Sequence, residues 1–347
     1  MTVVWNRVCL FRRVLLCAAA LLSAAVLPAA VPFAVGDVFA GIGNGRYNHF
    51  SPTGTLLETL DDTKDNFNTT GMCFDPAGNM YGTNLSANSM SKFMNNGTLV
   101  GLFGSFNANP ESCLIINGNT MFTSQVGGTG DILKFNLAGT QLANYNVARS
   151  DWIDLAADQC TMFYSDEGPT IHRFNVCTNV ALPDFVTVGG ANFYALRILT
   201  NGDVLVAAGP SVRRFNSAGT EILPAYTAAG ETFFFALNTD PDGTHFWSGG
   251  ILSNNIFKFN LTPVGAPVLS FSSQVATGGG NQLAGLAIFG EQIVSNPTPT
   301  PTPPQIGFTP TPTVNVAGVI VPTLSPPMLG LLALALLAAA VFILRRT

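Results

Sequence analysis

Between residues 36 and 291 the chain is built of short runs in which apolar and polar positions alternate, broken by turns rich in Gly, Asn and Asp. That period of two predicts half-buried β-strands rather than helices. The clearest stretch reads Gly71-Met72-Cys73-Phe74, a turn at Asp75-Pro76-Ala77-Gly78, Asn79-Met80-Tyr81-Gly82-Thr83, a loop, Ser91-Lys92-Phe93-Met94, a second turn at Asn95-Asn96-Gly97, and Thr98 to Phe103. These are four antiparallel strands, a to d from the inside outwards, with Gly and Asn where a tight turn wants positive φ. The same plan repeats over 111–146, 151–185, 193–226 and 233–271.

A phrase of one basic residue, Phe, then usually Asn or Ser marks each unit: His49-Phe50-Ser51, Lys92-Phe93, Lys134-Phe135-Asn136, Arg173-Phe174-Asn175, Arg214-Phe215-Asn216 and Lys258-Phe259-Asn260. Four strands per unit at a period near 40 predict an all-β fold, a β-propeller. Gly36 to Leu60 supplies strands b, c and d with no strand a before them. Gln282 to Ile288 supplies a strand a with nothing after it. Pairing the two predicts a six-bladed β-propeller closed by both termini, which removes exposed sheet edges. The repeated Phe is expected between blades. The basic residue beside it faces the other way and reads as an ion-paired or snorkelling position rather than an anion-binding belt.

Charge narrows the partners. The formal net charge is −5, but five arginines, at 7, 12, 13, 345 and 346, sit in terminal segments without acids. The middle is therefore clearly acidic and lacks the basic stripe that a nucleic acid requires, so none is expected. Residues 1–34 have an Arg-bearing start, an apolar run from Val14 to Val26 and small residues up to Ala34, the order of a secretory signal peptide cut between Ala25 and Ala34. Export permits disulfides. Folding the hairpin between Gly168 and Pro169, within the turn Asp166-Glu167-Gly168-Pro169, sets Thr161 opposite Val176 and Cys160 opposite Cys177, which predicts a Cys160–Cys177 bond.

The domain layout is thus a signal peptide over 1–34, a propeller over 35–294, a Pro/Thr-rich extended stalk over 295–320, and a tail over 321–347. From Met328 to Leu344 every residue is apolar or Gly, and Arg345-Arg346-Thr347 follows. That predicts one C-terminal transmembrane helix with its basic end in the cytoplasm and the propeller outside. Val321-Pro322-Thr323-Leu324-Ser325, the apolar helix and the Arg-Arg end resemble the IPTLS-type C-terminal sorting signal, with Val in place of the first Ile and Pro326-Pro327 after the motif. The resemblance implies an envelope or surface protein whose tail is handled by an exosortase-like membrane enzyme. Phe74 to Tyr81 and Leu199 to Val206 resemble the turn-and-strand phrase of the NHL and gluconolactonase-like group of six-bladed propellers. That second resemblance implies the fold and says little about activity.

Propeller sites gather where strands a begin and where the d-to-a and b-to-c loops meet. Aligning the a strands puts Cys73, Cys113, Asp154, Arg197, Asn238 and Gly285 at equivalent inner positions, with Glu111 and Trp152 two residues nearer the opening. Glu111, Asp154 and Asn238 approach the carboxylate-and-Asn set of a metal lactonase, but Arg197 in the same ring opposes a cation. An Asp154–Arg197 ion pair is the simpler expectation, and no metal or other cofactor is assigned. No nucleophile elbow is present, and His49, His172 and His245 share no ligand spacing. The expected function is a surface module that binds an extracellular glycan, peptide or matrix component, with Arg149, Trp152, Asn192, Phe193, Tyr194 and Trp247 as candidate contacts. A lactonase-like or lyase-like enzyme acting near the axis is the alternative.

Overall fold

The computed structural model describes residues 31–64, 68–275 and 282–292. These form six four-stranded antiparallel sheets. Blade 1 takes its inner strand from Gly285–Ile288 and the other three from Val38–Gly43, Arg46–Phe50 and Leu56–Asp61. Val38 pairs with Ile288 and Gly41 with Gly285, so the two ends of the ring close on each other as the strand count requires. Blade 2 starts at Thr69–Phe74, blade 3 at Pro110–Ile116, blade 4 at Ile153–Leu155, blade 5 at Leu196–Ile198 and blade 6 at Phe234–Thr239. The signal peptide up to residue 30, the stalk, the sorting motif and the apolar tail lie outside the described residues. Among those described, the only helical element is a 3-10 turn at Leu85–Ala87, and no helix is long and apolar enough to cross a membrane.

The repeated phrase has a physical reason at each of its positions. Phe50, Phe93, Phe135, Phe174, Phe215 and Phe259 are all buried in the hydrophobic clusters that fill the ring. The following polar residue builds the c-to-d turn. Asn136 Oδ1 accepts from Ala138 N–H (3.1 Å) and Thr140 N–H (2.9 Å), and Asn216 Oδ1 does the same for Ala218 and Thr220 (both 3.0 Å). Gly139 and Gly219 finish these turns at φ +87° and +81°, where only glycine sits without strain. The basic residue finds a partner in its own blade: Lys258 Nζ lies 2.6 Å from Asp240, Arg214 Nε 2.8 Å from Asp203, and Lys134 Nζ 5.5 Å from the Phe122 ring centre. A structural role accounts for these contacts.

Two disulfides staple the sheets. Cys160–Cys177 closes the blade 4 hairpin, with Cα atoms 5.2 Å apart. The ladder beside it runs one residue out of the expected register, with Thr161 opposite Asn175 and Tyr164 opposite His172. The ladder ends at Tyr164 and His172, so the hairpin is centred on Gly168 rather than between Gly168 and Pro169, a shift of half a step. The cysteines bridge just beyond the last pair. Cys73–Cys113 was not anticipated. It joins the inner strands of blades 2 and 3 across 40 residues, one blade period.

Candidate functional site

A four-stranded blade has two ends, and they differ here. The a-to-b and c-to-d turns form one face, which we call the turn face. The longer b-to-c and d-to-a connections form the other, the loop face. Both described ends of the ring sit on the turn face: Phe33 N–H donates to Asn95 O (2.8 Å) in a c-to-d turn, and Gln292 Nε2 donates to Pro241 O (3.1 Å) in an a-to-b turn.

On the loop face a groove of about 440 Å³ lies around blade 5. Its rim is the d-to-a loop Val188 to Asn192 and the b-to-c loop Ala208 to Ser211, and Tyr194, Arg213 and Phe233 form its floor. Gly189, Gly190 and Gly209 would set a Cβ into open space, so the rim is bare backbone at these three positions. The Tyr194 and Phe233 rings lie 5.0 Å apart, and Arg213 stacks 5.3 Å from the Phe215 ring while its Nε donates to Glu221 (2.7 Å). A mixed aromatic and polar floor under an open rim suits a flat, hydroxylated ligand.

Of the expected contacts, the structure brings Asn192 and Tyr194 to this groove. Phe193 is fully buried beside them. Arg149 lies on the loop face but next to blades 3 and 4, ion-paired with Glu167. Glu111 and Asp151 are buried close by, and Asp151 has no partner for either carboxylate oxygen. Burial first, then the neighbouring Asp151 and Glu167 charges, push the Glu111 carboxyl well above its ordinary range; burial and Glu167 do the same to Asp151. Trp152 and Trp247 are not at the surface. Trp152 is buried in the cluster shared with blade 5, and the Trp247 indole N–H donates to Asp240 Oδ2 (2.7 Å) in the body of blade 6. Strand alternation turns both rings between blades, where large apolar area is best removed from water.

The inner ring differs from expectation in its ion pair. Arg197 Nε and Nη2 donate to Glu291 at 3.0 and 3.2 Å, and Nη1 donates to Leu196 O (3.0 Å), so this guanidinium is held by Glu291. Asn238 Nδ2 also donates to Glu291 (2.6 Å). Asp154 instead accepts from the backbone N–H groups of Leu155 (2.9 Å) and Ile198 (2.7 Å); burial lifts its carboxyl to about 6, against the lowering pull of Arg197. Among the described residues no three His, Cys, Asp or Glu side chains are placed to hold a metal ion.

Glu291, Arg213 and Phe233 carried no expectation from sequence. Arg213 had a faint signal, being a second arginine beside the one the repeat accounts for. Glu291 follows the closing strand at the position of an a-to-b turn, but nothing in a linear reading shows that it reaches blades 5 and 6.

No family model matches the chain, and no curated protein matches it. Solved structures do match in fold. A chain of the nidogen/laminin complex superposes with a TM-score of 0.59 at 14% identity, covering 73% of this chain and 98% of that one. Hydrazine synthase from Kuenenia stuttgartiensis superposes with a TM-score of 0.51 at 10% identity, covering 69% of this chain and 80% of that one. At these identities the likeness is one of fold alone: the ring is a six-bladed β-propeller.

Proposed function

We propose that this chain is an exported propeller, held at the cell envelope by its C-terminal segment, that binds an extracellular oligosaccharide in the loop-face groove around Tyr194, Arg213 and Phe233. The observation that carries the reading is the separation of faces. Both described ends of the ring are on the turn face, so a tether leaving after Gln292 starts on the side opposite the groove. Two disulfides accord with an oxidising compartment. The Arg-bearing apolar start, the Pro/Thr stalk and Val321-Pro322-Thr323-Leu324-Ser325 before an apolar run with Arg345-Arg346 support export, anchoring by a membrane helix and processing by an exosortase-like enzyme. A catalytic reading on the axis would rest on Asp154, but both of its oxygens are taken by backbone N–H groups.

Asn192 is exposed, lines the groove and makes no side-chain bond that its replacement would break. Asn192→Trp should therefore fill the groove without disturbing the ring. Screening the exported protein on an array of oligosaccharides and peptides should give glycan capture that this variant lowers at least tenfold. Capture of peptides alone, or capture indifferent to Asn192→Trp, would refute the assignment.

A further inference from the structure

Three N–H groups from two blades converge on one carboxylate at the axis of the ring. Arg197, on the inner strand of blade 5, donates through Nη2 to Glu291 Oε1 (3.2 Å) and through Nε to Oε2 (3.0 Å), and Asn238 Nδ2, on the inner strand of blade 6, also donates to Oε2 (2.6 Å). A guanidinium that offers Nε and one Nη side by side matches the two oxygens of a planar carboxylate, and the amide adds a third donor. Arg197 and Asn238 are both buried on strands of the sheet. Glu291 belongs to no strand; it follows the closing strand Gly285–Ile288 in the segment that leaves the ring.

The donor side has supports of its own. Arg197 Nη1 donates to Leu196 O (3.0 Å), and the guanidinium lies 5.8 Å from the Trp152 ring centre. Asp154, the other acid whose charge bears on Arg197, gives its oxygens to the backbone N–H groups of Leu155 and Ile198. Glu291 also borders a cavity of about 360 Å³ that opens on the turn face and shares no residue with the loop-face groove. Its volume is in the range of about 300–1,000 Å³ that small-molecule sites occupy. The Cys73–Cys113 bridge, Phe74, Ile288 and Phe289 give it apolar walls. Asp75, the other acid in the lining, is paired with Lys92 (3.8 Å) and accepts from Ala77, Asn79 and Tyr81.

We infer that Arg197 and Asn238 form a binding site for a small carboxylate with an apolar body, and that Glu291 fills this site in cis. The incoming carboxylate takes the guanidinium fork from Glu291, and its body enters the apolar cavity alongside. Because Glu291 is tethered, it competes at a high effective concentration, so the wild type binds such a ligand weakly. The site lies on the face opposite the groove and does not depend on the oligosaccharide reading.

Glu291→Ala removes the cis occupant. Phenylacetate, titrated calorimetrically into the purified full chain, should bind this variant at one site, at least tenfold tighter than it binds the wild type. It should also restore at least half of the melting temperature that the variant loses in chloride. Acetate, which lacks the body, should bind severalfold more weakly, and benzylamine, which reverses the charge, should restore nothing. Adding Arg197→Met to Glu291→Ala should abolish phenylacetate binding. If Glu291→Ala does not fold in chloride, refolding in phenylacetate should return a cooperative melt. Absence of restoration, equal affinity for the wild type and Glu291→Ala, equal affinity for acetate, restoration by benzylamine, or binding that survives Arg197→Met would each overturn the inference.

Discussion

Arg197 is the most enclosed arginine of the described ring, with only 5% of its side chain exposed, and it is tolerable because Glu291 neutralises it through two hydrogen bonds. Removing one partner of such a pair strands the other in low dielectric, at a cost of about 3–5 kcal/mol. An exposed pair gains little from Coulomb attraction in water and contributes at most about 1 kcal/mol. Arg46–Asp61, with side chains 45% and 46% exposed, is the internal comparison. Glu291→Ala should therefore lower the melting temperature by roughly 10 °C, and Arg46→Ala should hardly move it. Thermal melts of the two variants showing equal, small shifts would mean that Glu291 does not hold the ring at its axis.

At the scale of elements, the closure of blade 1 and the two disulfides do the same work, tying segments distant in sequence. The chain-entropy argument ranks the bridges by the loop they close: about 4 kcal/mol for Cys73–Cys113 across 40 residues and about 3 kcal/mol for Cys160–Cys177 across 17. Replacing Cys73 and Cys113 together by Ser should thus cost more stability than replacing Cys160 and Cys177, as read from denaturant midpoints; the reverse order would contradict the loop-length account. Strand closure has a steric counterpart at Gly285, where a Cβ would stand 1.6 Å from Thr70 O of blade 2. Gly285→Val should prevent the ring from closing and yield protein without a cooperative melt.

These elements also show what a linear reading can hold. Alternation and the recurring Phe are local and repeated six times, so strands, blade count and the closing pair were legible. The Cys160–Cys177 bond was legible even though the ladder beside it slipped by one residue, because the bridge tolerates a diagonal approach. Cys73 and Cys113 had been aligned at equivalent inner positions in successive blades. Their bond needed one further fact, that inner strands nearly touch near the axis. The groove and the Glu291 contacts depend on how loops of different blades meet, which no periodicity encodes. Trp152 and Trp247 were expected outside for their residue type and lie inside for their strand position.

For the whole molecule, the balance of shifted acids sets an unusual response to pH. Burial raises Glu111, Asp151, Asp154 and Asp62 above their ordinary range. Above pH of about 4 the unfolded chain has lost those protons while the folded ring keeps them, so stability falls as pH rises through the raised values. His172, held by Asp166 and Asp184, is raised too; its contribution is complete below its ordinary value near 6.5 and is lost as pH rises through the folded value. Asp158, Asp166, Glu221 and Asp242 are lowered, and their contribution is lost only as pH falls below the ordinary carboxylate range. Between about pH 5 and 8 the resolved shifts therefore act in one direction. Scanning calorimetry should show the melting temperature declining across that window. Glu111→Gln with Asp151→Asn should flatten the decline, and His172→Gln should flatten its upper part. A wild-type melting temperature that rises from pH 5 to 8 would show that the loop-face carboxyls are hydrated and ionised in the folded ring, contrary to their burial.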